Sequence, residues 1–69
     1  MTPAEFKQAR ITLGLTQAQL GVILNTVPQT IRRWEMEPER STSRPPNPVA
    51  VQAMRWMLDG FRPPEFPAE

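Results

Sequence analysis

Proline placement divides this chain before any other feature does. Nine of its 69 residues are proline, and only Pro3 and Pro28 precede position 38. Inside a helix a proline removes a backbone donor and collides with the preceding turn, at a cost of about 3 kcal/mol or more. At the first helical position it is tolerated, because its missing N–H would have no partner there. The first 37 residues are therefore free to be helical, with Pro3 and Pro28 at helix starts. From Pro38 onward the chain must be broken by loops, and Pro48 to Gly60 is the stretch able to form one further helix.

Capping signals agree with that division. Thr2 and Glu5 are spaced as a capping box around Pro3, and Phe6, Ala9 and Leu13 recur on one face before Gly14 ends the helix. Thr16 with Gln19 opens a second helix over Gln17 to Leu24, whose stripe is Leu20, Ile23 and Leu24. Gly21 inside it costs about 1 kcal/mol relative to alanine, which points to close approach by another helix. Asn25 suits the left-handed exit, and Thr26 and Gln29 are spaced for a further capping box. The third helix runs from Pro28 to about Glu35–Glu37, with Ile31 and Trp34 inward and Pro28, Gln29, Arg32, Arg33 and Met36 outward. Asn47 caps the fourth, from Pro48 to just before Gly60, which has two apolar sectors. Val51, Met54, Leu58 and Phe61, flanked by Ala50 and Met57, form the expected core side. Val49, Ala53 and Trp56 remain for a second partner. These spacings predict an all-α fold with helices near 3–13, 17–24, 28–36 and 48–59, then an extended proline-rich tail docked through Phe61 or Phe66.

Composition narrows the function. Without cysteine or histidine, the chain has no disulfide, no thiolate nucleophile, no Cys/His zinc site and no histidine acid–base catalyst. Glu35, Glu37 and Glu39 cluster, but a spacing of two spreads them over different helix faces and no nucleophile–base set accompanies them. The expectation is no enzyme, no cofactor and no metal. Eight basic against seven acidic residues exclude a polybasic coat, so any nucleic-acid binding must come from charge sorted onto one face. No apolar run approaches the roughly 18 residues of a membrane span. No basic stretch followed by an apolar region marks a signal peptide either, so a soluble cytoplasmic protein is expected.

Two short helices joined by a tight turn, residues 16–35, have the form of a helix-turn-helix unit. In such a unit the second helix buries one side against the first and leaves the other free to enter a major groove. Here the free side carries Gln29, whose amide matches adenine, and Arg33, whose fork matches guanine. Arg32 lies nearer the groove edge and suits phosphate, as do Arg40 and Arg44 of the following loop.

The segment LGLTQAQLGVILNTVPQTIRRWE resembles the Cro/CI-type (XRE family) helix-turn-helix repressors of phages and bacteria. The resemblance covers about Phe6 to Glu35. It implies an all-α, lambda-repressor-like domain of four or at most five helices, spanning residues 1–60 and followed by the tail, residues 61–69. It further implies that Gln17 contacts phosphate and braces the recognition helix, that Gln29 and Arg33 read bases, and that Arg10 and Glu35 form an internal ion pair. The segment RPPNPVAVQAMRWML also resembles, more distantly, small phage-encoded autorepressors, including those that accompany anti-CRISPR genes. Departures are Asn25 where glycine is usual, Thr26 and Val27 where a hydrophobic residue and then Ser or Thr are usual, and Pro28 where a base-reading Gln or Arg is frequent. The resulting expectation is a transcriptional repressor that binds a palindromic double-stranded DNA operator as a homodimer through Val49, Ala53 and Trp56. The alternative is an antitoxin or adaptor that holds a protein partner with the fourth helix and the tail.

Overall fold

In the computed structural model, residues 1–37, 39, 41 and 43–67 are described. They form four helices and no strand: α1 (Pro3–Thr12), α2 (Gln17–Ile23), α3 (Pro28–Glu35) and α4 (Pro48–Leu58). None of these helices is long and apolar enough to cross a membrane. Each ends about one residue earlier than its sequence pattern predicts.

The starts follow from local hydrogen bonding. Thr2 and Thr16 each accept from the backbone N–H three residues on, and Glu5 and Gln19 reach back to complete both capping boxes. Asn47 accepts from the Val49 N–H at 2.8 Å, with Pro48 at the first position of α4. α3 departs from expectation. Its cap is Val27, which makes no side-chain cap bond, so Thr26 and Gln29 do not form a box. The reason is that Thr26 belongs to the exit from α2: its N–H donates to the Gly21 carbonyl at 2.8 Å. With Thr26 so engaged and Pro28 opening α3, the cap position falls on Val27.

Three helix ends share one geometry. At α1, Gly14 N–H bonds the Ile11 carbonyl and Leu15 N–H bonds the Arg10 carbonyl; Gly14 has φ +73°. At α2, Asn25 bonds Val22 and Thr26 bonds Gly21, with Asn25 at φ +56°. At α4, Gly60 bonds Met57 and Phe61 bonds Trp56, with Gly60 at φ +112°. These are Schellman closures, in which the residue after the left-handed position folds back on the last turn. Gly21 is small for the same reason. A side chain there would meet the Thr26 carbonyl oxygen at 2.9 Å, so it is the α2–α3 turn that approaches, rather than another helix.

α1 packs on α3 and α4, and α2 packs on α3. The core is Phe6, Ala9, Leu15, Leu20, Ile31, Ala50, Met54 and Met57. Each of its larger side chains contributes roughly 1.5–3 kcal/mol by leaving water. Phe6 meets Trp34 edge-to-face, with ring centroids 5.8 Å apart. The core stripe of α4 is rotated from the expected one: Ala50, Met54 and Met57 are buried, while Leu58 and Phe61 are exposed. Phe61 leaves the helical projection at Gly60 and folds back onto Trp56, centroids 6.5 Å apart. The tail docks through Phe66 instead, which packs against the core and lies 4.6 Å beneath the Arg62 guanidinium.

Candidate nucleic-acid interface

α3 divides cleanly into two sides. Ile31 is fully buried and Trp34 half-buried, so this edge is fixed against α1 and α2. Pro28, Gln29, Arg32 and Arg33 are exposed on the other. Gln29, Arg32, Arg33 and Met36 line a shallow hollow along the exposed side. A planar amide and two planar guanidiniums on one helical face offer several donors side by side, the chemistry suited to base edges and phosphate oxygens.

The base of α3 is held by one carboxylate. Glu35 accepts from Arg10 Nε at 2.7 Å, from Arg10 Nη2 at 3.1 Å and from Gln17 Nε2 at 3.1 Å. Its side chain is 4% exposed and that of Arg10 12%. Arg10 Nη1 also donates to the Leu15 carbonyl at 2.9 Å. Three helices and the α1–α2 loop thus converge on a two-pronged, charge-assisted contact with directional geometry. Gln17 is therefore tied to Glu35 at the start of α2 and braces α3 through it.

Arg44 lies beside the C-terminal end of α3. Its N–H donates to the Arg33 carbonyl at 3.2 Å, and the Ser43 hydroxyl donates to the Met36 carbonyl at 3.3 Å. The exposed Arg44 guanidinium bonds the carbonyls of Ser41 and Ser43 in its own loop, at 3.2 and 2.7 Å. Arg40 lies outside the described residues.

The second exposed face is on α4. Val49 is 78% and Trp56 53% exposed, and Ala53 between them is half-buried. Phe61 extends this face through its contact with Trp56. No cluster of three or more potential metal ligands occurs among the described residues.

Two features of the site escape a reading of the sequence alone. Leu15 is buried and supplies a carbonyl to Arg10; its signal is local, since an apolar residue directly after a helix-ending glycine is the one that folds back. The bond from Arg44 to Arg33 depends on the path of the intervening loop and has no such signal. Comparison of the chain with known proteins finds no matching family, no matching curated protein and no matching solved structure.

Proposed function

We propose that this chain is a sequence-specific DNA-binding regulator of the Cro/CI type, a repressor that acts as a homodimer on a palindromic operator. Residues 16–35 are the helix-turn-helix unit and α3 is the recognition helix. The observation that carries the reading is the exposed row Gln29, Arg32 and Arg33 on a helix whose base is braced to α1 and α2 through Glu35. Gln29 and Arg33 specify bases, while Gln17, Arg32, Arg40 and Arg44 position the protein on phosphates. An eight-residue recognition helix reaches only a few base pairs, so two copies related by a dyad, paired through Val49, Ala53 and Trp56, supply the remaining affinity.

Selection of duplexes from a random pool tests this. The expected outcome is an enriched inverted repeat bound at least about 10³-fold more tightly than scrambled DNA. Failure to enrich any sequence overturns the reading. The exposed apolar pair Trp56–Phe61 favours a second reading, an antitoxin or adaptor with a protein partner. That reading gains if the chain is monomeric in solution and enriches no DNA.

A further inference from the structure

A hollow of about 260 Å³ opens between the proposed recognition unit and α4, lined by Leu24, Thr26, Trp34, Asn47, Val49 and Ala50. The end of α2, the turn into α3, α3 itself and the start of α4 all contribute to its wall. Its volume admits one bulky side chain and falls short of the roughly 300–1,000 Å³ of small-molecule sites.

A matching projection stands two turns further along α4. Trp56 is 53% exposed and lies seven residues after Val49. At 100° per residue the two are only about 20° apart around the helix, and about 10 Å apart along it. A knob and a hollow thus share one face of one helix. Between them stand Gln52 and Ala53, the latter small enough to let another helix come close. That pattern is self-complementary. When two copies of α4 run antiparallel about a dyad at Gln52–Ala53, each copy's Trp56 falls opposite the other's Val49, as an isologous contact requires.

Charge fits the same arrangement. Asp59 is the C-cap of α4, is exposed, and is in no ion pair among the described residues. A carboxylate is disfavoured at the negative end of its own helix, and antiparallel pairing puts it beside the positive start of the other copy's α4. The half-exposed rings of Trp56 and Phe61 alone offer roughly 200 Å² per chain. That is about a quarter of the ~800 Å² each partner gives to a standard interface, before Val49, Gln52, Ala53 and the wall of the hollow are added.

We infer that Trp56 of a second copy seats in this hollow, against Trp34 of α3. The inference rests on the homodimer proposed above and gives it a register. It also joins pairing to the recognition helix. Trp34 meets Phe6 on its own chain, and Thr26 closes the turn into α3 through its bond to Gly21. The incoming indole covers this corner from outside, so each α3 is fully supported only in the dimer.

Two measurements on the whole chain test this. The sequence has no cysteine, so single-cysteine variants report the register cleanly. Ala53→Cys lies next to the dyad and should link to its own copy on oxidation. Asp59→Cys lies about 20 Å from its copy and should not, so the first should give at least about tenfold more covalent dimer. Trp56→Phe keeps an aromatic knob and leaves Trp34 as the one indole. Its emission should move to shorter wavelength over the concentrations at which sedimentation shows pairing. The inference is overturned if Asp59→Cys links as readily as Ala53→Cys, or if Trp34 emission stays constant while the chain pairs. Should Trp56→Phe not pair, the cysteine variants decide alone. A parent chain that pairs without these signs keeps the homodimer and loses only the register; a parent chain that stays monomeric defeats both.

Discussion

α3 and α4 both present an exposed face and both rest on buried apolar side chains, Ile31 in α3 and Ala50, Met54 and Met57 in α4, but α3 has a buried ion pair in addition. α3 is eight residues long and is anchored at its end by a buried carboxylate bonded to Arg10 and Gln17. α4 is eleven residues long and is anchored by Ala50, Met54 and Met57, with an asparagine cap at one end and a Schellman closure at the other. Apolar burial sets no precise direction, whereas a two-pronged ion pair sets both distance and angle. The helix with a polar outer face has the directional anchor, which the proposed reading of base edges requires. The helix with an apolar outer face has the non-directional one, which suffices for the proposed pairing.

The largest effect should come from cutting the anchor of α3. Glu35→Ala strands the part-buried Arg10 guanidinium and leaves Gln17 without its acceptor, at a cost of about 3–5 kcal/mol. Denaturant unfolding of the two proteins measures it. A destabilisation below about 1 kcal/mol would mean that α3 is held by Ile31 and Trp34 alone, and the contrast between the helices would vanish.

Gly21→Ala comes next. Alanine gains about 1 kcal/mol of helix propensity, but its methyl would lie 2.9 Å from the Thr26 carbonyl oxygen, which belongs to the turn backbone. Overpacking at about 1–3 kcal/mol should outweigh the gain, so thermal unfolding should show net destabilisation. Net stabilisation would show that the turn into α3 yields readily.

On α4, Trp56→Glu should alter monomer stability by less than about 0.5 kcal/mol, because the side chain is 53% exposed. Sedimentation should then show a monomer for the variant and a dimer for the parent chain. Unfolding of the variant would place Trp56 in the monomer core and remove α4 from the comparison.

The smallest effect concerns α1. The Thr2 N–H and, secondarily, the Thr2 side chain hold the Glu5 carboxyl below its ordinary pKa of 4.5. The depressed pKa means the box stabilises fully above pH 4.5 and its contribution disappears as pH falls through the lower folded value. Glu5→Gln should therefore flatten a small acid-side fall in melting temperature, and an unchanged fall would assign it elsewhere.

The helix starts are legible in the sequence because capping is settled within four residues: Thr2 with Glu5, Thr16 with Gln19, and Asn47 with Pro48. Helix ends are less so. Helical projection stops applying once Gly14 and Gly60 turn left-handed, so it is silent on Leu15 and puts Phe61 on the core side. The backbone closure onto Trp56 instead carries the Phe61 ring to the outside. Thr26 illustrates a competition that spacing alone does not decide, since one threonine cannot both close α2 and cap α3. The Arg10–Glu35 pair and the bracing role of Gln17 are implied by resemblance, but the bond from Arg10 to the Leu15 carbonyl is not; its one cue in the sequence is the apolar residue directly after Gly14.

In the proposed reading, the exposed side of α3 reads bases, with Arg33 as specifier and Arg32 as phosphate contact. Arg33→Ala and Arg32→Ala should fail differently when both are titrated on selected and scrambled duplexes over a salt series. Arg33→Ala should reduce discrimination at one base pair per half-site by roughly 1–3 kcal/mol. Arg32→Ala should weaken all sequences about equally and lower the salt slope by ~1 for each phosphate that is no longer neutralised. An unchanged ratio of selected to scrambled binding in Arg33→Ala would show that Arg33 does not read a base.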